Sequence, residues 1–334
     1  MRILLVKLSS LGDVVHTLPV VQDILAAMPD AQIDWVIEKA FAPLLTQVEG
    51  LHRIIPCELR RWRKSFWTAQ TWVAWRAFKA DLQVHSYDAV IDLQGLTKSA
   101  AVAWLANLTP HGKRYAMANQ TEDSGYEAPT RWVADVAIPL EPHSHAVARG
   151  RLLAAQALGY SAVLPKKTLN YGLKVPVAQS IRAQEATKKI AFMHGSSRLD
   201  KTWPLQNWVD LGQRLMASGH HITLVHGSAA ELAISKAIAQ QLGSSCTVLP
   251  LLPLDALAQE LRGCQGAIGV DSGVSHIAVA LGLPHVQIYN FATAWRTGPL
   301  GCSQQVSVFA QPNPSVDTVW QAWLACSAGG EGAA

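Results

Sequence analysis

Lys7 and Asp13 are the first residues of this chain whose types and spacing could do chemistry. They stand in MRILLVKLSSLGDVVHTLP, at either end of a turn that contains Ser9, Ser10 and Gly12. A carboxylate beside a turn can take a proton from an attacking hydroxyl, and an ammonium nearby can receive an anion. Asp13 also suits an ordinary helix N-cap, a role its side chain fills well after a turn. Lys7 favours the chemical reading, because a buried strand rarely ends in an ammonium unless a polar cleft uses the charge. A solvated aspartate has a pKa of about 3.9 and a lysine close by lowers it, so such a base would act through position more than through strength.

The second half of the chain holds a set suited to an anion. In His194-Gly195-Ser196-Ser197, small residues let backbone N–H groups and two hydroxyls approach a phosphate closely. Lys201 follows within reach as a point charge. Val270-Asp271-Ser272-Gly273-Val274-Ser275-His276 opens a helix whose positive end serves the same purpose, with Asp271 as its expected N-cap. Glu231, early in the helix after His226-Gly227, is placed for a ribose diol, and a first-turn glutamate is equally ordinary helix chemistry. Two further cationic positions lie in the first half: Lys98, just beyond a strand end, and the cluster Arg60, Arg61, Arg63 and Lys64. Four cations in five residues repel one another, which suggests anions to bind, although a solvated face is the plain alternative.

The elements that must position these groups follow from apolar periodicity. Ile3–Val6, Ile33–Ile37, Ile54–Ile55 and Tyr87–Leu93 read as strands of a covered parallel sheet. Helices are expected from Val14 to Leu25 with a bend at Pro19, over Phe41–Val48, after Gly95, and over Ala146–Leu158 ending at Gly159. The stretch ELRRWRKSFWTAQTWVAWRAFK carries four of the twelve tryptophans. Its later part predicts a helix with Trp72, Trp75 and Phe78 packed on the sheet. Gly112–His145 reads as a long loop region with one strand near Val133–Ile138. After a Lys- and Pro-rich stretch the alternation resumes, with strands at Lys189–Met193, Ile222–Val225, Val248–Leu249, Gly266–Val270 and His285–Tyr289, the last clear one. Helices are expected at Pro204–Ala217, with Pro204 in the first turn, Ala230–Leu242, Leu254–Arg262 and Asp271–Leu281. The reading is an α/β chain of two successive β/α/β domains, residues 1–165 and 189–327, joined by a linker at 166–188.

Composition narrows the function. The chain has 334 residues, about half of them apolar, and a formal charge of only +4, so it is globular and carries no whole-surface commitment to nucleic acid. Five cysteines, scattered and never spaced CxxC, read as reduced thiols of a cytoplasmic protein with no zinc site. The start of the chain shows no leader and no spanning apolar run, so a soluble protein, at most attached to a membrane surface, is expected. There is no GxGxxG after an opening strand, no GxxxxGK[ST] and no Asp-x-Asp pair. Dinucleotide oxidoreductases, P-loop NTPases and metal-diphosphate transfer all lose weight.

KLSSLGDVVHTLPV, RRWRK, DLQGLTKSA, DKTWP and VDSGVSH together resemble the bacterial lipopolysaccharide heptosyltransferases of glycosyltransferase family 9, through nearly the whole chain. RRWRK with DLQGLTKS favours the type I members. The resemblance implies a B-type glycosyltransferase fold, two Rossmann-like domains facing across a cleft, with no cofactor and no metal. It implies inverting transfer of L-glycero-D-manno-heptose from ADP-heptose to the inner Kdo of Kdo-lipid A, on the cytoplasmic face of the inner membrane. Asp13 matches the general base. Lys201 with Ser196 and Ser197, where the family has threonines, matches the diphosphate grip. Glu231 matches the ribose contact, and Asp271, Ser272, Gly273 and His276 the donor-sugar loop. Lys7, Ser9, Ser10, Gly12, Arg60, Arg61, Arg63, Lys64 and Lys98 match the acceptor surface of the N-terminal domain, and Trp62, Phe66 and Trp67 among those cations suggest contact with anionic lipid. One departure stands out: the family's Arg-Glu-Pro segment is Tyr126-Glu127-Ala128-Pro129 here, leaving Arg114 or Arg131 as substitutes. Another family 9 transferase, with a different donor or the second heptose as product, and a non-catalytic nucleotide-sugar binding protein are the alternatives.

Overall fold

The computed structural model describes residues 1–161, 169–176 and 188–328. The chain divides into two compact units, Met1–Leu164 with Asn170–Gly172, and Pro165–Leu169 with Leu173–Ala334. Most of the expected linker, 166–188, lies outside the described residues.

In the first unit the elements run β1 (Arg2–Val6), α1 (Leu11–Ala27), β2 (Gln32–Glu38), α2 (Ala42–Leu45), β3 (Leu51–Cys57), α3 (Leu59–Lys64), α4 (Ala69–Leu82), β4 (Ser86–Asp92), α5 (Thr97–Leu105), β5 (Asn107–Met117), α6 (Pro129–Val133), β6 (Val136–Ile138) and α7 (Ala146–Leu158). The strands pair in parallel in the order β3-β2-β1-β4-β5-β6. Ile3, Leu4, Leu5 and Val6 are fully buried at its centre, as an uninterrupted apolar run requires. Pro56 is tolerated because β3 is an edge strand. Gly159 closes α7 in the left-handed conformation, φ 76°.

Three expectations are corrected in this unit. The helix after β1 begins at Leu11 with Ser10 as N-cap, so Asp13 is its third residue. The helix near Phe41 spans only Ala42–Leu45. Part of the expected loop from Gly112 is β5, concealed because its polar NLTPHGKRYAM has no period-two pattern and its register with β4 shifts between Tyr87 and Ala89.

The second unit repeats the plan: β7 (Lys188–Met193), α8 (Leu205–Ala217), β8 (His220–Leu224), α9 (Ala229–Leu242), β9 (Cys246–Val248), α10 (Leu254–Arg262), β10 (Gly266–Val270), α11 (Gly273–Ala280), β11 (His285–Tyr289), α12 (Ala294–Thr297), β12 (Gln305–Phe309) and α13 (Val316–Ala328). Its parallel strands are ordered β12-β11-β10-β7-β8-β9. Pro204 is the cap of α8 rather than its first residue, and Ser272, whose side chain accepts from Ser275 N, replaces Asp271 as cap of α11. β12 lies beyond the last strand read from sequence. Each sheet therefore has the doubly wound order, whose reversal point, between β1 and β4 and between β7 and β10, is where such sheets bind ligands.

Candidate active site

At the first reversal point the loop after β1 is held from several directions. Lys7 Nζ donates to Leu93 O at 2.9 Å and lies 3.9 Å from Asp13 Oδ1. Ser10 donates to Asp13 Oδ2 through its backbone N at 3.0 Å and its hydroxyl at 2.8 Å. Lys98, at the start of α5, donates to Ser9 Oγ at 2.8 Å. The structure thus gathers Lys7, Ser9, Ser10, Gly12, Asp13 and Lys98 on one sheet edge. Asp13 is both an N-terminal anchor of α1 and a candidate base.

Electrostatics differ across this set. Burial alone would raise the Asp13 carboxyl, but the Lys7 ammonium and the two Ser10 hydrogen bonds outweigh it and hold the group below the ordinary carboxylate range. The side chain keeps 35% of its exposure, so the carboxylate remains reachable by solvent or substrate. Burial lowers Lys7 to about 8, with Asp13 opposing and Arg149 adding to the shift. Lys98 is also lowered, by burial and then by Arg60, which ties the head of the basic cluster electrostatically to this edge.

Sequence reasoning missed the groups that support this turn. Gln94 Oε1 accepts from Leu8 N and Ser9 N, both at 3.0 Å. Asp92 accepts from Gln94 N, Gly95 N and Ser99 Oγ, and burial pushes its carboxyl up to about 6. A cavity of about 10 Å³, room for a single water, is lined by Lys7, Asp13, His16, Thr17 and Arg149 among others. The sequence signal for Gln94 was its place one residue past a buried strand, the position that also singled out Lys7.

The basic cluster lies on α3, where Arg60, Arg61, Arg63 and Lys64 are exposed and Trp62 is buried. Trp62 packs against Trp75 and Phe78, with ring centroids 5.8 and 5.5 Å away. Two expectations change: Trp62 is a core ring, and Trp72, 53% exposed, is a surface ring. The three-residue spacing from Trp72 to Phe78 drifts around the helix, so Trp72 leaves the face that Phe78 buries.

In the second unit, Asp271 gathers the polar groups at the reversal point. Lys201 Nζ pairs with its Oδ2, Thr297 Oγ1 donates to Oδ1 at 3.2 Å, and His276 Nε2 is 3.4 Å away. Burial would raise this carboxyl, but His276 and Lys201 outweigh it and leave it ionised well below the ordinary range. Ser196 Oγ approaches Asp271 O at 3.5 Å, while Ser197 is exposed. Ser272 and Gly273 form the N-terminal end of α11 beside them. Glu231 Oε2 accepts from Gly227 N at 2.6 Å, and a Cβ on Gly195 would come within 2.4 Å of its carboxyl carbon, so a side chain there would displace the Glu231 carboxyl. His194 is a supporting residue: its Nε2 contacts Ser235 Oγ at 2.7 Å, and burial with His226 lowers it to about 4, keeping it neutral.

A family model described as glycosyltransferase family 9 (heptosyltransferase) matches residues 75–322. The chain belongs to glycosyltransferase family 9. This family 9 chain is 38% identical over 304 residues to lipopolysaccharide heptosyltransferase 1 of Pseudomonas aeruginosa, a match covering 91% of this chain and 82% of that protein. It is 36% identical over 307 residues to the heptosyltransferase 1 of Escherichia coli K12, covering 92% and 93%. Its structure matches that of the E. coli heptosyltransferase WaaC with ADP at a TM-score of 0.83 and 32% identity, covering 96% of this chain and 98% of that one. The B-type glycosyltransferase fold expected from the motifs is borne out. In this family 9 glycosyltransferase Glu127, of the Tyr126-Glu127-Ala128-Pro129 segment, accepts from Thr97 N at 2.7 Å. Arg114 is committed to the carbonyls of Ala103, Trp104 and Ala106, so it does not replace the missing arginine; Arg131 is exposed on α6. No helix among the described residues is long and apolar enough to cross a membrane.

Proposed function

We propose that this transferase moves L-glycero-D-manno-heptose from ADP-heptose to the inner Kdo of Kdo-lipid A, with inversion and without a metal. The relatives named heptosyltransferase 1 and the ADP-bound WaaC structure support the reaction and the donor. The observation that carries the mechanism is the hold on Asp13: Ser10 occupies Oδ2 with two hydrogen bonds, and Oδ1 is left at a loose 3.9 Å from Lys7. Oδ1 accepts the proton of the Kdo hydroxyl as its oxygen bonds to the anomeric carbon and the bond to ADP breaks. Lys201 neutralises the charge that develops on the departing diphosphate, with Ser196 and Ser197 alongside. Glu231 meets the ribose, and Asp271, Ser272, Gly273 and His276 the heptose. The first unit serves the acceptor and the second the donor.

Lys7, Lys98 and the cations of α3 supply charge for the carboxylates and phosphates of the acceptor. The same cations, with exposed Phe66 and Trp67, hold the protein on the anionic cytoplasmic face of the inner membrane, each contributing about 1 kcal/mol near the surface. Asp13→Asn tests the mechanism: transfer drops at least about 100-fold while calorimetric ADP-heptose binding stays unchanged. An active variant refutes the base assignment, and turnover of Kdo-lipid A only with another nucleotide sugar refutes the donor.

A further inference from the structure

Lys201 ends a single 3₁₀ turn, Leu199–Lys201, in which Asp200 is exposed and which Ser197 and Arg198, also exposed, precede. Two local contacts close the turn: Lys201 N donates to Arg198 O at 3.1 Å, and Arg198 Nε donates to Asp200 Oδ1 at 3.0 Å. A lysine carries its charge on a flexible four-carbon stem, so fixing its ammonium needs contacts from outside so short a turn. The segment that follows β11 supplies them. Asn290 Nδ2 donates to Asp200 O, the carbonyl immediately before Lys201. The Phe291 ring lies against the Arg198 guanidinium, whose Cζ is 5.5 Å from the ring centroid, within cation–π range. Further along, Thr297 Oγ1 donates at 3.2 Å to Oδ1 of Asp271, whose Oδ2 pairs with Lys201 Nζ. Thr297 is itself aligned, because its Oγ1 is 3.1 Å from the hydroxyl of Tyr289, which accepts from Gln287 Nε2 at 2.9 Å. With Thr297 donating to Asp271, Tyr289 must donate to Thr297, so the chain of hydrogen bonds runs in one direction from the buried Gln287 to the carboxylate.

We propose that Asn290, Phe291 and Thr297 are positioning residues for Lys201, Asn290 and Phe291 by holding its turn and Thr297 by holding the carboxylate that aims its ammonium. Each acts through a different intermediary: the backbone just before the lysine, the arginine at the head of its turn, and its counter-ion. A segment held only for its own folding has no need to meet both the turn that carries an ammonium and the carboxylate paired with it. The consequence is preorganisation. The ammonium stands beside Asp271 before a nucleotide arrives, so a diphosphate meets a charge whose side-chain freedom is already spent. The inference rests on the reading of Lys201 as the diphosphate grip, and adds what orders that grip.

The test titrates ADP into the full chain by calorimetry, with a melting curve and steady-state kinetics for each variant. Asn290→Ala and Phe291→Ala each weaken ADP binding about three- to tenfold. The KM for ADP-heptose rises in step, and the KM for the acceptor does not move. Thr297→Val, nearly the same shape without the hydroxyl, weakens ADP by a similar factor. Two conservative variants restore it: Phe291→Tyr keeps a ring face against Arg198, and Thr297→Ser keeps a hydroxyl toward Asp271. The deciding measurement is a double-mutant cycle with Lys201→Met, run below the melting transition of every variant. Lys201→Met alone weakens ADP at least about 30-fold. Asn290→Ala or Phe291→Ala added to it costs less than about a further twofold, because the residue they position is gone. Fully additive losses, or unchanged affinity in both single variants while Lys201→Met binds poorly, overturn the positioning role and leave the diphosphate reading intact. Unchanged ADP affinity in Lys201→Met sinks that reading and the positioning role with it.

Discussion

Gln94→Met removes one oxygen on which two backbone amides depend. Gln94 Oε1 accepts from Leu8 N and Ser9 N at 3.0 Å each, and the residue is only 8% exposed. Methionine fills similar volume without a comparable acceptor, so both buried N–H groups lose their partner at about 1–3 kcal/mol apiece. Some relaxation toward solvent brings the total to about 3 kcal/mol, and the unfolding transition falls by about 6–12 °C for a unit of this size. The chemical consequence follows from what the turn carries. Ser9 receives Lys98 and Ser10 holds Asp13, so a loosened turn lets the carboxylate drift, and about 1 Å of misplacement costs on the order of 100-fold in rate. Steady-state kinetics should show kcat reduced by about that factor with the KM for ADP-heptose unchanged, because Lys201, Glu231 and Asp271 belong to the other unit. Gln94→Glu keeps an acceptor oxygen and recovers most of the melting temperature. Wild-type kcat in Gln94→Met, or a change confined to KM, refutes the positioning role.

Three further outcomes follow from the charges. Burial sets Lys7 near 8, so its proton leaves as pH rises through that value and transfer falls above it; Lys7→Arg should move this limb upward by at least about one unit, and an identical limb in the variant would exclude Lys7. Asp92 titrates near 6 when folded, against 3.8 as a free side chain. The folded state then binds the extra proton between those values, and the Asp92 contribution to stability declines by about 3 kcal/mol as pH rises from about 4 to 6. Asp92→Asn, whose amide oxygen still accepts from Gln94 N and Gly95 N, should flatten that slope in urea melts. Lys201→Met leaves the nearly buried Asp271 carboxylate without its ammonium, at a cost of about 3 kcal/mol. Adding Asp271→Asn should restore much of that stability and none of the ADP affinity, measured by a double-mutant cycle.

Much of this architecture was legible because both sheets are parallel and covered, so strands such as Ile3–Val6 and Gly266–Val270 read as bare apolar runs. Lys7 and Asp271 were legible for a related reason, since each stands one residue past the carboxyl end of such a run. What escaped was set by contacts distant in sequence. β5 is polar and bulged, and only pairing with β4 identifies it. Asp271 looked like a cap because Asp caps helices well, yet Ser272 does so through Ser275 N while Asp271 is drawn aside by Lys201, His276 and Thr297. Trp62 and Trp72 exchanged roles because the three-residue spacing drifts around α4, which carries Trp72 off the face that Phe78 buries, while Trp62 of α3 packs on that face instead. Gln94 shows only its place just past a buried strand, and Asp92 reads as an ordinary strand residue. Their partners lie 85 or 86 residues away in the first case and in the backbone of the next turn in the second.

The depressed carboxyl of Asp13 has a consequence for how the reaction is driven. A base held below the ordinary carboxylate range by Lys7 and Ser10 is fully ionised throughout the physiological range, so it is always competent to accept a proton and never strongly inclined to do so. Proton transfer then trails bond formation at the anomeric carbon. In the proposed mechanism the barrier falls mainly where charge builds up on the departing diphosphate, at Lys201. Because Asp13 stays ionised down to low pH, an acidic limb in the rate near neutrality cannot belong to it. Such a limb belongs to a group that titrates there, and the buried Asp92, near 6 and bonded to the turn that holds Ser9, is one that the described residues supply. Asp92→Asn should abolish an acidic limb near pH 6 while the alkaline limb near 8 persists. Retention of the acidic limb would separate Asp92 from the rate.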